Sequence, residues 1–418
     1  MARDIHRTIE TVWRMESTKL IAALTRVVRD VGTAEELAQD ALVAALEQWP
    51  SAGIPQRPAA WLMATAKHKA IDRIRRNVVG EQKQQELAAW IPREEEPDWD
   101  AALDDPIGDD VLRLMFISCH PVLSVEARVA LTLRLLGGLR TDEIARAFLV
   151  AESTVAQRIV RAKRTLSQRD IPFELPPPAE LAERLRSVLD VIYLVFNEGY
   201  VPSSGEAWAR PDLCHEALRL GRILAGLAPG EPEAHGLVAL MEIQASRLRA
   251  RFDSGGRPLR LADQDRGRWD RLLIERGQAA LERARRPGGE PGPYLLQAEI
   301  AACHARAVTF ADTDWTEISR LYEKLSLVAP SPVVELNRAV ALGMAYGPEV
   351  GLSVVDQLAS EPRLAGYALL PAVRGDLLER AGRPEQARTE FARAASLTRN
   401  EAERRMLLDR AGQPFTRR

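Results

Sequence analysis

The spacing of apolar residues constrains the fold of this 418-residue chain more than any other feature. Along most of its length apolar side chains recur every three or four residues, and short clusters of proline and glycine separate the periodic segments. No segment shows the alternation that is typical of a strand. Aromatic residues make up only 5% of the chain, whereas helix-forming residues abound. We therefore predict an all-α protein with several domains, because one core rarely serves so long a chain.

Charge and proline content predict where the domains begin and end. Residues 80–110 carry a net charge of −9 and no apolar stripe, whereas 1–79 and 111–170 carry +3 and +5. Three consecutive prolines in FELPPPAE (173–180) cannot continue a helix. We predict an N-terminal domain at 1–79, an acidic and poorly ordered linker at 80–110, a second domain at 111–172 and a helical C-terminal domain at 173–418.

The segment TDEIARAFLVAESTVAQRIVRAKRTL (141–166) predicts a helix-turn-helix. Its second helix places Val155, Ile159, Ala162 and Leu166 on one face and polar, cationic side chains on the other. Leu149 departs from the pattern, since a turn of this kind commonly has glycine there. The first turns of such a helix meet the bases in a major groove, and later cations meet phosphates. The predicted base-reading residues are Ser153, Thr154, Gln157 and Arg158, and the predicted phosphate-binding residues are Arg161, Lys163 and Arg164.

Three segments resemble an extracytoplasmic-function sigma factor of bacterial RNA polymerase. STVAQRIVRAKRTL is similar to region four, which recognises the minus-thirty-five promoter element. AEELAQDALVAALEQW is similar to the region-two helix that grips the clamp helices of the beta-prime subunit, and RPAAWLMATAKHKAIDRIRR to the helix that borders the minus-ten element. The resemblance implies promoter DNA and core RNA polymerase as partners, through the beta-prime clamp helices and the beta flap.

The resemblance also implies roles for side chains in the first 79 residues. The loop 52–57 would capture a base that is flipped out of the promoter. The side chains expected to bind the minus-ten element are Arg57, Trp61, Thr65, His68, Lys69, Arg75 and Arg76. The side chains expected to bind core polymerase are Glu36, Gln39, Asp40 and Glu47. Periodicity by itself leaves a solvated acidic face as the alternative for this last set.

The C-terminal extension resembles tetratricopeptide repeats, most clearly at 334–400, where VRGDLLERAGRPEQARTEFARAASL has the expected small and large packing positions. With the two sigma regions, it resembles a group of these sigma factors in which the extension regulates the sigma domains. The resemblance therefore implies an intramolecular contact between the extension and those domains. The residues that could form a regulatory surface are Asn197, Glu198, Asp265, Arg266, Arg268, Trp269 and Asp270; caps and buried ion pairs are the alternative.

Three other classes of protein remain as alternatives. A conventional helix-turn-helix regulator with a ligand- or partner-sensing helical domain would bind duplex DNA alone. A scaffold protein would need only its repeats. An enzyme is disfavoured because the six histidines are scattered and no phosphate-binding loop or zinc motif occurs, so we expect no catalytic residue, metal or cofactor. The charged start and the lack of a long apolar run predict a cytoplasmic protein without a membrane contact.

Overall fold

A computed structural model describes residues 2–82, 107–148, 150–202, 209–253, 257–285 and 290–412. Within these ranges the regular structure is helical, apart from one isolated antiparallel bridge between Phe252 and Pro258. The predicted all-α class is therefore confirmed. The chain forms two compact units, Met1–Val191 and Ile192–Arg418. No described helix is long and apolar enough to cross a membrane.

The described helices of the first unit are α1 (Ala2–Val28), α2 (Val31–Ala52), α3 (Pro58–Gln82), α4 (Ile107–Ser118), α5 (Val125–Leu135), α6 (Thr141–Phe148) and α7 (Glu152–Gln168). They form two groups, since α1 packs against α2 and α3, and α7 packs against α5 and α6. Helix α4 packs against both α1 and α5, so the two groups belong to one compact unit.

Helix α2 extends beyond both ends of the segment AEELAQDALVAALEQW (34–49) that resembles the family helix. Its N-cap is Asp30, whose carboxylate accepts a 2.7 Å hydrogen bond from the Thr33 amide. The helix then continues through Pro50 to Ala52. Pro50 is exposed and the preceding Trp49 is buried, so water can satisfy the carbonyl that proline leaves unpaired while the indole anchors the last turn.

Described helices extend into both ends of the predicted linker. Helix α3 continues to Gln82 and α4 begins at Ile107, and the residues between them lie outside the described ranges. Asp110, which the prediction placed in the linker, is only 1% exposed and belongs to α4. Its carboxylate pairs with Arg113 at 2.8 Å and with Arg26 of α1 at 3.4 Å. The charge of Asp110 is thus buried and paired rather than solvated.

The second unit continues the helical architecture, and most consecutive helices in its described ranges pack against each other. The helices are α8 (Pro178–Tyr200, which spans the boundary between the units), α9 (Pro211–Leu227), α10 (Pro232–Ala245), α11 (Arg271–Arg285), α12 (Pro293–Arg306), α13 (Trp315–Val328), α14 (Pro332–Tyr346), α15 (Pro348–Leu358), α16 (Leu369–Arg380), α17 (Pro384–Leu397) and α18 (Glu401–Ala411). Among the described residues of this unit, short 3-10 helices lie at Leu248–Arg251, Leu261–Asp263, Arg266–Arg268 and Pro362–Leu364.

The repeat-like packing of the last helices depends on glycines where helices meet. A Cβ atom on Gly375 of α16 would lie 2.5 Å from the ring of Phe391 in α17, closer than real Cβ contacts. On Gly351 of α15 it would lie 2.7 Å from the carbonyl oxygen of Ala339 in α14. Small residues therefore let each pair of helices approach closely, as the tetratricopeptide-like pattern predicts. The three cysteines are buried, as expected of small apolar residues.

Candidate nucleic-acid interface

Helix α7 combines a buried apolar face with an exposed polar one. Val155, Ile159, Ala162 and Leu166 are buried, and α7 packs against α5 and α6. Ala151 precedes the helix and provides no side-chain cap, so first-turn amides are not satisfied by a capping side chain. These features are typical of a helix that offers its N-terminal turns and one polar face to a nucleic acid. Leu149 lies outside the described residues.

Most of the predicted DNA-binding side chains of α7 face solvent. Ser153, Gln157, Arg161 and Arg164 are exposed, and Thr154 and Arg158 are half-buried. Their spacing leaves a continuous polar strip along the helix. The arrangement can donate hydrogen bonds to base edges and place cations beside phosphates.

Lys163 differs from the other six, because its ammonium group contacts the Glu35 carboxylate of α2. The Arg134 guanidinium of α5 lies 2.6 Å from the same carboxylate, and Gln39 donates to it at 2.7 Å. We call Glu35, Arg134 and Lys163 the Glu35 triad. In this conformation the triad joins α2 to α7, and the Lys163 ammonium group neutralises a carboxylate.

The triad also sets the protonation of its central carboxyl. Burial raises the pKa of Glu35, but the adjacent Lys163 and Arg134 lower it by more, so the pKa lies below its ordinary value. Glu35 is 3% exposed and charged at neutral pH. A buried carboxylate of this kind depends on both cations, since removal of either would leave charge uncompensated.

The side chains that were predicted to bind the minus-ten element are only partly exposed. His68 and Arg57 are exposed, whereas Thr65 and Lys69 are half-buried. Trp61 was expected to point away from the core, but its ring packs edge-to-face on buried Trp49, with centroids 5.4 Å apart. The side chains of Arg75 and Arg76 lie outside the described residues.

A cleft of about 300 Å³ opens beside the first turn of α3. Lys19, Arg57, Pro58 and Met63 belong to its lining. It adjoins the loop before α3, which the family resemblance assigned to capture of an unpaired base. The cleft is mixed in character: aliphatic groups lie beside the Arg57 guanidinium and beside Lys19, which pairs with the Glu16 carboxylate of the same lining at 3.4 Å. An aliphatic wall beside an exposed cation could accommodate an unpaired base.

The outer face of α2 carries exposed acidic side chains. Asp40 and Glu47 point to solvent, and Glu36 forms a 2.8 Å ion pair with Arg73 in which both side chains remain largely exposed. Gln39 instead turns towards the Glu35 triad. Asp40 and Glu47 are therefore the predicted polymerase ligands that are most accessible to a basic partner.

The residues proposed for a regulatory surface mostly hold the C-terminal unit together. Asp265 accepts from the Gly267 amide at 2.8 Å, and Asp270 from the Leu273 amide at 3.2 Å. Both aspartates act as local caps. Trp269 is buried, and the half-buried side chain of Asn197 forms a hydrogen bond with Tyr193.

The charged members of that set make longer-range contacts. Glu198 pairs with Arg210 at 2.8 Å. Arg268 donates to the carbonyls of Phe252 and Arg249 at 3.0 and 2.8 Å. Arg266 lies close enough to Arg247 for their charges to repel, and Arg247 repels Arg251 in the same way. The sequence analysis did not identify this cationic group. The run SRLRARF (246–252) was the available signal for that group. No cluster of potential metal ligands occurs among the described residues.

Family comparisons agree with this geometry. Residues 13–78 match the family described as Sigma-70 region 2, 113–166 match Sigma-70 region 4, and 184–285 match a family of unknown function (DUF6596). The Rhizobium meliloti (strain 1021) protein "Uncharacterized protein R00370" is 45% identical over 408 residues, which are 95% of this chain and 94% of that protein.

Two named relatives match only the N-terminal part. "Probable ECF RNA polymerase sigma factor SigI" of Mycobacterium tuberculosis is 27% identical over 178 residues, 41% of this chain and 59% of that protein. "ECF RNA polymerase sigma factor SigK" of Mycobacterium ulcerans is 29% identical over 153 residues, 36% of this chain and 78% of that protein. The chain belongs to the extracytoplasmic-function sigma factors of RNA polymerase and carries a C-terminal helical extension. It therefore acts in transcription initiation.

Proposed function

We propose that α7 reads the minus-thirty-five element of a promoter while α3 and the loop before it engage the minus-ten element. The observation that carries the first half is the exposed polar strip of α7, built on four buried apolar residues within the matched region four. The cleft beside Arg57 supports the second half. Base contacts would come from the first two turns of α7, and its later arginines would bind phosphates.

Core polymerase would bind the outer face of α2. Asp40 and Glu47 are exposed there, and a helical partner with basic side chains would complement them. The beta-prime clamp helices are the partner implied for this face, and the beta flap the partner for region four. A protein that makes these contacts would act in the cytoplasm, where the polymerase acts. They require binding alone and no catalytic step.

The C-terminal unit would regulate these activities in place of a separate protein. Its repeat-like helices form an independent compact unit within the same chain, and the full-length Rhizobium relative retains it. Repeat arrays of this type commonly present a binding surface. We propose that an intramolecular contact between this unit and the sigma regions responds to a ligand or partner.

The polymerase contact can be tested with a matched pair of full-length variants. Asp40→Arg should weaken binding to core polymerase at least ~10-fold, because it opposes a basic partner with like charge. Glu10→Arg reverses another exposed carboxylate, on α1, and should bind as the unaltered protein does. The dissociation constant of each variant for immobilised core polymerase would be measured at two salt concentrations. Equal affinities of the two variants for core polymerase would show that Asp40 does not belong to the interface.

Promoter selection can be tested by transcription from genomic DNA with core polymerase and sequencing of the transcripts. New start sites that share two spaced upstream elements are the expected result. Specific duplex binding by the protein alone, with no new start sites, would favour the conventional regulator instead.

A further inference from the structure

Three arginines of the C-terminal unit converge on two aromatic rings. The Arg251 guanidinium lies 4.0 Å from the ring centroid of Tyr200, and that of Arg247 lies 5.8 Å from the same centroid. Arg247 is also 5.7 Å from the centroid of Trp269, and Arg266 is 5.0 Å from it. We call these five residues the arginine cluster. Cation–π contacts hold the guanidinium groups in place but do not by themselves neutralise a positive charge.

The arginine cluster is poor in negative charge. Across the described ranges, neither Arg247 nor Arg266 has a carboxylate oxygen within the 4.0 Å salt-bridge limit. Burial, followed by the nearby positive charge of Arg247, lowers the pKa values of both Arg251 and Arg266. Asp312 offsets part of this effect at Arg266. Three like charges therefore repel one another in a partly desolvated place, which an anion would relieve.

Arg266 and Arg247 differ in how their hydrogen-bond donors are used. Arg266 donates to the carbonyls of His304 and Ala307 at 2.6 and 2.8 Å, and to the Thr313 hydroxyl at 3.0 Å. The side chain of Arg247 makes no hydrogen bond to any residue that the structure describes, although its Nε is buried. Arg266 is thus anchored by the fold, whereas Arg247 keeps its donors available.

Two further buried nitrogen atoms near Arg247 are unsatisfied. Trp269 is 3% exposed, and its Nε1–H has no acceptor in the described part of the chain. The Nδ1 atom of His304 is also buried and has no hydrogen-bond partner among the described residues. Burial, and then the charges of Arg247 and Arg266, lower the pKa of His304 to about 3, so the imidazole is neutral at pH 7. Buried donors are normally paired, so the unpaired Nε1–H of Trp269 and Nε–H of Arg247 indicate a missing acceptor.

We propose that the arginine cluster is a binding site for a small oxyanion, a carboxylate or phosphate group of a free small molecule, with Arg247 as its principal ligand. A guanidinium matches both groups through paired N–H donors, and the Trp269 indole provides another donor. Arg251 is 5% exposed, so the site is recessed and suits a small molecule better than the surface of a folded partner. The proposal rests on the regulatory role proposed for the extension and supplies its ligand class.

The test uses full-length protein and simple probes. Inorganic phosphate and succinate would each be titrated by calorimetry, and melting temperatures would be recorded in each salt against chloride at equal ionic strength. Arg247→Gln should weaken binding of the preferred probe at least ~10-fold, as loss of a charged bidentate partner implies. Arg249→Gln is the matched control, since Arg249 is exposed and lies two residues along the chain. The probe that binds more tightly shows whether the natural ligand presents a phosphate or a carboxylate group.

A second measurement distinguishes an anion-binding site from arginines that only pack on aromatic rings. The preferred probe should raise the melting temperature of the unaltered protein and of Arg249→Gln but not that of Arg247→Gln, because a ligand that binds the folded state stabilises it. A rise of equal size in Arg247→Gln, or equal binding of both probes by Arg247→Gln and Arg249→Gln, would overturn the proposal. Binding is measured here without polymerase or promoter, so this failure would leave the transcription result untouched.

Discussion

A single lysine links α7 to α2 in the first unit. Lys163 was predicted to bind phosphate, but it is half-buried, whereas Arg161 and Arg164 are exposed. Its ammonium group contacts the Glu35 carboxylate, more than a hundred residues earlier in the chain. Binding of Lys163 to a phosphate would therefore require this ion pair to open.

Glu35→Gln should destabilise the first unit by about 2–3 kcal/mol at pH 7, because it leaves Arg134 and Lys163 without a counter-ion. The effect falls below that of a fully buried pair because those side chains keep 23% and 22% exposure. The folded pKa of Glu35 lies below that of the unfolded chain, about 4.3. The stabilisation is therefore present above that pH and disappears as pH falls through the folded value.

Denaturant unfolding at pH 7 and near pH 3 would measure this difference. The matched control is Glu36→Gln, an exposed neighbour in a solvent-screened pair, which should have little effect at either pH. Equal effects of the two substitutions at pH 7 would show that the triad does not stabilise the unit.

Arg158→Ala should lower transcript yield from a cognate promoter about 10-fold while leaving affinity for core polymerase unchanged, because a base contact contributes ~1–3 kcal/mol. Arg169→Ala removes an exposed arginine just beyond the end of α7 and should leave the yield nearly unaltered. Loss of polymerase binding in Arg158→Ala would place this residue in a different interface.

At the scale of elements, helix pairs of the extension depend on positions without side chains. Helices α16 and α17 meet where Gly375 faces Phe391, and Leu336, Ala387 and Ala394 belong to the same core cluster. The sequence identified this pairing, because small and large residues recur at repeat spacing. The sequence did not predict that α2 would continue through Pro50, because this depends on which face of the helix is exposed.

Gly375→Ala should destabilise the extension by about 1–2 kcal/mol, since overpacking against the Phe391 ring exceeds the gain in helix propensity. Gly366→Ala is the control, because nothing lies within 4 Å of its added Cβ. Hydrogen exchange of α16 and α17 would localise the effect. Unchanged protection in Gly375→Ala would mean that the two helices can separate without loss.

At the scale of the molecule, the natural division of the chain lies inside α8. Ser187 donates to the Cys119 carbonyl at 2.7 Å and accepts from Arg128 at 2.8 Å, while Arg184 donates to the Phe116 carbonyl at 3.1 Å. These contacts lie within the first unit, which ends at Val191. A sigma domain without the first half of α8 therefore loses part of its own packing.

A fragment ending at residue 175 should be less stable than one ending at 191 by about 2–4 kcal/mol, because three partly buried hydrogen bonds are lost, at ~1 kcal/mol each, with some apolar contact. Thermal unfolding of both fragments would measure the difference. The longer fragment should melt as the first unit of the intact protein does. Identical melting of the two fragments would assign α8 wholly to the extension.

Local information in the sequence was enough for the helical class, the helix-turn-helix and the repeat-like pairs, because these depend on side-chain spacing of three to four residues. Only the tertiary structure brought Lys163 to Glu35, Trp61 to Trp49, and Arg247 to Tyr200 and Trp269. Those contacts join residues far apart or on different faces, and periodicity assigns a face without assigning its neighbour. Burial and pairing of charge follow from that neighbour, so they were decided by the fold.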